Sequence, residues 1–324
     1  MRLSIRPGAL SDATALTDLA NDHHEAFTGE PLWSVEEIRA LLVTATADPT
    51  RDDRFVERDG VPVAGFHTRF YEPFDVGRID LAVPLQDERA AVVEMLVDAA
   101  LRVLRARSSK DDAIAQATVP TEDAELIDCL QGRGFAITGR LWLLEIPAEG
   151  VTRVPPSPSI DVSTLDVLQH LSDGFEILEQ SFPTPGSNWH LPRDDYEHMM
   201  RNDPTALAGL SLIAHEGARP VGVCINFLDT MRPQAGHIGM LGVARSARRR
   251  GIARALFTES LARFAERGWT HGRLTTISPV DGKGGEDAAG FFRSVGMQTV
   301  YDHDILARPL VTQHPVTRTL GTRH

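Results

Sequence analysis

Cysteine is scarce in this sequence: its 324 residues include only Cys129 and Cys224, which lie far apart. Two distant cysteines cannot form a disulfide framework, so we expect free thiols and a reducing, cytoplasmic location. The sequence also has no C-x-x-C pair, which argues against a structural zinc site. We predict that no metal is bound.

Long apolar runs are absent as well. No stretch of 18 or more apolar residues occurs, which argues against a membrane span. The opening segment "MRLSIRPGALSDATAL" lacks the apolar core and cleavage site of a signal peptide, so we expect none. The only lysines are Lys110 and Lys283, and the formal net charge is −12. Because nucleic acid and anionic membranes attract positive surfaces, we expect this chain to bind neither.

The sequence does contain a repeat. "ERDGVPVAGF" at 57–66 aligns with "AHEGARPVGV" at 214–223, and "CLQGRGF" at 129–135 aligns with "FFRSVGM" at 291–297. The separation between matching residues changes only from 157 to 162, and the order of the matches is kept. Matches at one spacing and in one order indicate a duplication.

The repeat suggests a division of the chain. The segment "EGVTRVPPSPSI", which starts at residue 149, is rich in proline and serine and lacks helical periodicity, as linkers do. We predict a first unit at 1–148, a linker at 149–159, a second unit at 160–308 and a loose tail at 309–324. Strand patterns alternate with helical ones in each unit, which predicts an α/β fold with a mixed sheet and helices on its faces.

The stretch "VARSARRRGIA" at 243–253 joins a long strand of the second unit to the following helix. Gly251 lets backbone N–H groups approach a ligand without a Cβ in the way. A helix N-terminus offers unpaired donors and a partial positive charge, and arginine suits phosphate. We therefore predict a pyrophosphate seat, with a solvated arginine-rich turn as the alternative. Neither a Walker loop nor a G-x-G-x-x-G fingerprint is present.

This stretch resembles the signature of the GCN5-related N-acetyltransferase (GNAT) family: Arg or Gln, two residues, Gly, one residue, then Gly or Ala. The resemblance covers 160–308 well and 1–147 more weakly. It implies that the loop binds the pyrophosphate of acetyl-CoA and that the preceding strand pairs with the pantetheine arm. The cofactor-binding residues it implies are Leu241, Val243, Arg248, Arg249, Arg250, Gly251, Ile252, Ala253 and Phe292.

The corresponding loop of the first unit is "LAVPLQDERAAVVEML". Counting from Leu81 puts Glu88 at the place of Arg248 and Ala91 at the place of Gly251. A carboxylate and a methyl group facing the phosphates would both oppose binding. We therefore predict that the first unit is a degenerate GNAT-like domain without a cofactor seat.

The resemblance also implies a glutamate base on the strand before the loop. Spacing from Leu241 puts that position at Gly239, so the glutamate is missing. Strand alternation places His237 on the same face, and an imidazole that titrates near neutral pH can act as a base. The alternative role for His237 is that of a hydrogen-bonded strand residue.

The general acid of the family is commonly a tyrosine in the last helix. Phe292 occupies that position here and cannot donate a proton. The departing thiolate would then be protonated by water, by Ser278 or by Tyr301. Packing roles are the alternative for these side chains.

The segment "NWHLPRDDY" falls where the acceptor-binding loop of the family lies. We predict that Trp189, His190, Asp194 and Asp195 contact the acceptor, and the last three are also possible bases. The alternative for the aspartates is a helix N-terminus, whose dipole favours carboxylates.

Together these features predict an acetyl-CoA-dependent N-acetyltransferase, a transferase of EC 2.3.1 type that acylates the amine of a small molecule. The two-unit layout is similar to that of mycothiol synthase-like enzymes. The alternative is a catalytically silent acyl-CoA-binding or regulatory module, which the missing glutamate and tyrosine favour. The sequence leaves the acceptor open, as well as the choice between monomer and homodimer.

Overall fold

The protein is described by a computed structural model that covers residues 2–43, 47–71, 75–108, 110, 112–182, 193–203, 205–279 and 288–310. The predicted acceptor residues Trp189 and His190 lie outside these ranges, as does Lys283. Most of the predicted tail lies outside them too.

The first unit alternates strands and helices. Its strands are β1 (Leu3–Pro7), β2 (Asp53–Arg58), β3 (Val61–Tyr71), β4 (Val76–Ala82), β5 (Ile114–Pro120) and β6 (Ala136–Pro147). Its helices are α1 (Ala13–Thr28), α2 (Val35–Leu42), α3 (Pro49–Asp52), α4 (Arg89–Arg107) and α5 (Ala124–Gly132).

The second unit repeats this order. Its strands are β7 (Ile160–Thr164), β8 (Leu212–Glu216), β9 (Arg219–Leu228), β10 (Ala235–Val243), β11 (His271–Pro279) and β12 (Gln298–Pro309). Its helices are α6 (Leu171–Ser181), α7 (Arg193–Asn202), α8 (Ile252–Glu266) and α9 (Ala288–Ser294). The predicted α/β class with a mixed sheet is confirmed.

All the described strands join one sheet, in the order β1-β2-β3-β4-β5-β12-β6-β11-β10-β9-β8-β7. β4 pairs with β5 and β10 with β11 in parallel, and the other pairs are antiparallel. The last strands of the two units are exchanged: β12 pairs with β5, and β6 pairs with β11. Each unit therefore completes its sheet with a strand of the other, and the units cannot separate without breaking both ladders.

Helices cover both faces of this sheet. On one face, α4 and α5 pack over the first unit, and α8 and α9 pack over the second. On the other face, α1 and α2 lie over the first unit, and α6 and α7 lie over the second. On this second face, which we call the α2 face, α2 of the first unit reaches the second unit, where Glu37 contacts Thr230.

The end of β12 differs from the predicted boundary. Pro309 closes the strand, and Leu310 is fully buried, with its N–H donating to the carbonyl of Ala113 at 2.7 Å. The sequence places both residues in the loose tail, but the pairing of β12 with β5 carries them into the core of the first unit. Cys129 and Cys224 are free thiols. No helix within the described ranges is long and apolar enough to cross a bilayer.

Candidate active site

A gap opens in the sheet of the second unit between β10 and β11. The two strands pair only from Ala235 with His271 to His237 with Arg273, and then diverge. Beyond His237, the edge of β10 that faces β11 has no strand partner. We call this gap the wedge. Its β10 side can hydrogen-bond an extended ligand because those backbone groups are not used by a ladder.

A β-bulge marks the closed end of the wedge. The register of β10 against β9 shifts between Ile238 and Met240, which leaves Gly239 unpaired. A Cβ added at Gly239 would lie 2.4 Å from Cε2 of Phe227, far inside contact distance. The ring of Phe227 therefore occupies the space that a side chain at Gly239 would need. A glutamate at this position would require the ring of Phe227 to move.

The predicted phosphate loop follows β10. A single 3-10 turn, Arg245–Ala247, leads to Arg249 (φ 64°) and Gly251 (φ 79°), both left-handed, and α8 begins at Ile252. Left-handed residues on either side of Arg250 turn successive N–H groups into a concave anion-binding nest. Within the described chain, the backbone N–H groups of residues 249–254 have no hydrogen-bond partner. A Cβ at Gly251 would meet no atom within 4 Å, so the space above this loop is open.

The arginine side chains of the loop differ in their contacts. Arg248 donates to the backbone carbonyls of Val243 and Ser181, each at 3.3 Å, which holds it beside the top of the wedge. Arg249 is exposed. Arg250 points to the β8–β9 hairpin instead, where Nη1 donates to Glu216 at 3.2 Å. Arg250 can therefore donate its backbone N–H to a phosphate in this loop, while its side chain is held by Glu216.

Of the apolar residues predicted to bind the cofactor, some are buried in the core and others line the wedge. Ile252 is buried in the core under α8, so only its N–H faces the loop. Phe292 is buried with Phe257, with ring centroids 5.9 Å apart, and fills core space. Leu241, Val243 and Ala253 are half-buried along the wedge and the first turn of α8.

Comparison with known proteins agrees with this geometry. Residues 171–297 match the sequence model of the acetyltransferase (GNAT) family. Residues 171–297 thus resemble this family, and we call this matched segment the GNAT domain. No curated protein sequence matches the chain.

Solved structures extend the likeness to the whole chain. A GCN5-related N-acetyltransferase from Sphaerobacter thermophilus superposes with a TM-score of 0.79 at 19% identity, covering 96% of each chain. A tandem GNAT protein from the clavulanic acid biosynthesis pathway gives 0.70 at 15% identity, covering 97% of this chain and 100% of that one. A glucosamine N-acetyltransferase region of a fungal β-N-acetylglucosaminidase gives 0.70 at 15%, covering 95% of this chain and 38% of that one. At these identities the likeness establishes a tandem GNAT fold.

The first unit has the same strand–loop–helix arrangement but a different loop. β4 and β5 pair up to Ile79 with Ala117 and then diverge, so a corresponding gap exists. Its loop is shorter, and α4 begins at Arg89 after the left-handed Glu88 (φ 60°). Glu88, not Ala91, therefore stands at the place of Gly251. The predicted alignment was wrong because it assumed loops of equal length.

The gap of the first unit is filled by its own side chains. Arg89 is 4% exposed and donates to the carbonyl of Val83 and to both carboxylate oxygens of Asp123. His23 lies 2.8 Å from Asp123 through Nε2 and 3.3 Å from the carbonyl of Leu81 through Nδ1. Backbone carbonyls that border the gap are thus hydrogen-bonded to side chains of the first unit itself. The pKa of Asp123 stays below its usual 3.8, because hydrogen bonds from His23 and Arg89 outweigh the effect of burial.

His237 lies at the closed end of the wedge in the GNAT domain, half-buried and paired with Phe227 and Arg273. Burial lowers the pKa of His237 below 6.5, and Arg273 lowers it further, while Asp229 and Glu37 oppose the shift. His237 is therefore neutral at pH 7 and can accept a proton.

Sequence reasoning missed the charged groups around His237. Arg273 is 3% exposed, and it donates to Asp229 at 3.1 Å and to Glu30 at 2.5 Å. Its Nε lies 3.1 Å from Glu145. Glu30 belongs to the first unit, so this buried ion network joins the units directly beneath His237. The sequence signal was weak, because these carboxylates lie in no motif.

The other predicted catalytic residues lie further from the vertex of the wedge. Tyr301 is on β12, separated from β11 by β6, so it lies about 10 Å from β11. Its ring contacts those of His24 and His303, and burial raises its pKa to about 12. Ser278 is half-buried near the end of β11, opposite Arg140.

Of the predicted acceptor residues, only Asp194 has a described side chain. It is exposed in the first turn of α7, where a helix N-terminal role alone would place it. Asp195 belongs to the same turn, but its side chain lies outside the described structure.

Proposed function

We propose that this protein is an acetyl-CoA-dependent N-acetyltransferase that acylates a small amine, with its cofactor seat in the second unit only. The contrast between the two gaps carries the proposal. The wedge leaves the N–H groups of residues 249–254 unpartnered under open space, whereas Arg89 and Asp123 fill the gap of the first unit. Only one of two homologous sites is thus shaped to receive a ligand.

The residues around the wedge fit acetyl-CoA. The nest at Arg249–Gly251 and the N-terminus of α8 would hold the pyrophosphate, with Arg248 beside it. Leu241 and Val243, on the free edge of β10, would line the pantetheine arm. When bound there, the cofactor supplies an activated acyl thioester.

The side chains of the protein would contribute a general base and an electrostatic environment. An ammonium must lose a proton before its nitrogen can accept an acyl group, and the neutral His237 would take that proton. Glu30 and Asp229 pair with Arg273, whereas Glu37 has no cationic partner in the described chain, and its charge would favour a cationic acceptor. We propose that this small molecule enters on the α2 face, between α2 and α6, and that the enzyme is cytoplasmic.

The second candidate function is a silent acyl-CoA-binding module. Two observations favour it: Phe227 excludes a side chain at Gly239, and Phe292 is buried in the core without a proton to donate. Both functions use the same seat, so binding alone does not distinguish them.

Two measurements test the proposal. Calorimetric titration with CoA is expected to show one site per chain. Thiol release from acetyl-CoA with a panel of amines is expected to show turnover that is lost in His237→Ala while CoA still binds. Binding without turnover on any amine would favour the silent module. Absence of CoA binding to the folded protein would refute both.

A further inference from the structure

A carboxylate of the first unit reaches the catalytic strand of the second. Glu37, in the first turn of α2, accepts a hydrogen bond from the hydroxyl of Thr230 at 2.6 Å through Oε1. Its Oε2 accepts from the backbone N–H and the hydroxyl of Ser34, each at 2.8 Å. The side chain is therefore fixed from both sides, and one of its anchors belongs to the other unit.

The strand register places the hydroxyl that holds this carboxylate in the β9–β10 turn, which follows the pair of Phe227 and His237. Phe227, near the end of β9, pairs with His237, and Thr230 lies three residues further along the chain. Asp229, next to Thr230, contacts Arg273, which is the partner of His237 on β11. Glu37 is thus held against the hairpin end that borders His237, at the closed end of the wedge.

The charges that face His237 are Asp229 after β9, Arg273 on β11 and Glu37 on α2. Arg273 and Asp229 form an ion pair at 3.1 Å and partly neutralise each other. The hydrogen bonds of Glu37 come from neutral groups, and in the described part of the chain no cation pairs with it. The charge of Glu37 therefore adds to that of Asp229 in favouring a positive His237, and no ion pair in the described chain offsets it.

We propose that Glu37, supplied by the unit without a cofactor seat, is a positioning residue for proton transfer to His237. The inference rests on the proposed function. An N–H bond of the acceptor ammonium breaks, a new N–H bond forms on the imidazole, and the acceptor keeps its lone pair as a neutral amine. The carboxylate of Glu37 stabilises the resulting imidazolium, as a carboxylate near a histidine base does.

The test is an NMR titration of His237 that does not depend on turnover. The chain has 12 histidines, so His237→Gln identifies the resonance. In Glu37→Gln, the titration midpoint of His237 is expected to move to lower pH by about 0.5 or more. The reason is that the substitution removes a negative charge that favours the protonated imidazole. Glu36→Gln is the matched control: the neighbouring residue on α2 has the same charge, is exposed, and is expected to leave the midpoint unchanged.

Two further variants separate charge from folding. Glu37→Asp keeps the charge and is expected to restore most of the shift. Thr230→Val releases the carboxylate without altering α2 and is expected to move the midpoint in the same direction by a smaller amount. Unchanged midpoints in both Glu37→Gln and Thr230→Val would overturn the proposal.

Kinetics then connect the pair to catalysis. The acid limb of kcat/KM is expected to move with the midpoint in Glu37→Gln, and a purely structural role would lower activity without moving the limb. If the acid limb of kcat/KM stays in place while the titration midpoint of His237 moves, the role of Glu37 in proton transfer would be overturned. Lack of turnover in the unmodified protein with every amine would instead refute the proposed function, and the titration would still be interpretable.

Discussion

Two glycines at opposite ends of α8 allow the cofactor seat to be tested separately from stability. Gly251 (φ 79°) precedes the helix and Gly268 (φ 83°) follows it. A Cβ at either position would meet no atom within 4 Å, so alanine would clash with nothing in the protein. The two sites share the same backbone strain and differ only in what approaches them.

The magnitude of the strain follows from the backbone conformation. A left-handed non-glycine residue costs about 1–2 kcal/mol, so Gly251→Ala and Gly268→Ala are each expected to lower the free energy of unfolding by that amount. The first unit shows that a side chain is tolerated there, because Glu88 (φ 60°) occupies the place of Gly251. Both variants should therefore fold, with a similar decrease in Tm.

The affinity for CoA should differ between Gly251→Ala and Gly268→Ala. The methyl group of Gly251→Ala would project into the open space above the N–H groups of residues 249–254, where the pyrophosphate is proposed to lie. We expect CoA affinity to fall at least tenfold, about 1.4 kcal/mol, while Gly268→Ala binds as the unmodified protein does. Thermal unfolding and calorimetric titration measure the two effects. Equal CoA affinity in both variants would refute the assignment of the seat.

Three further predictions concern individual charges. Arg248→Glu places a carboxylate beside the seat and is expected to weaken CoA binding at least tenfold; unchanged affinity in calorimetry would count against it. Because the pKa of His237 lies below 6.5, kcat/KM should be constant at neutral pH and decline only as the pH falls below that value; a decline starting above pH 7 would exclude His237 as the base. Asp123→Asn removes the buried carboxylate that pairs with Arg89 and leaves only the exposed Glu125 as its counter-charge, so chemical denaturation should show a loss of at most about 3–5 kcal/mol. The folded pKa of Asp123 is below 3.8, so its contribution is present above that pH and is lost as the pH falls through the folded pKa; an equally stable variant would contradict the argument.

The sequence was sufficient for local features. The "RRRGIA" loop predicted a glycine at the turn into a helix, and Gly251 is found there, in a left-handed conformation that glycine adopts without cost. The repeat predicted two similar units of one fold. The comparison of loops failed at Glu88, because counting residues without a gap cannot detect a shorter connection.

Contacts between the units could not be predicted. In β6 and β12, the alternation of apolar and polar residues is compatible with pairing in either unit. The pattern therefore does not specify which unit each strand completes. The groups around His237 are equally hidden: Thr230 contacts Glu37 over 193 residues of chain, and Arg273 contacts Glu30 over 243. No motif spans such distances, and these contacts follow only from the way the two units share a sheet.

This shared sheet gives the first unit a role that does not require a cofactor. In the second unit, β12 pairs with β5 of the first unit, and β11 pairs with β6 of the first unit. Glu30 holds Arg273 at the vertex of the wedge, and Arg89 with Asp123 replaces a ligand in the first gap. The buried ion pair satisfies polar groups of the first gap from within the chain. The contacts of β6 with β11 and of Glu37 with Thr230 then join the first unit to the site of the second without a ligand in the first.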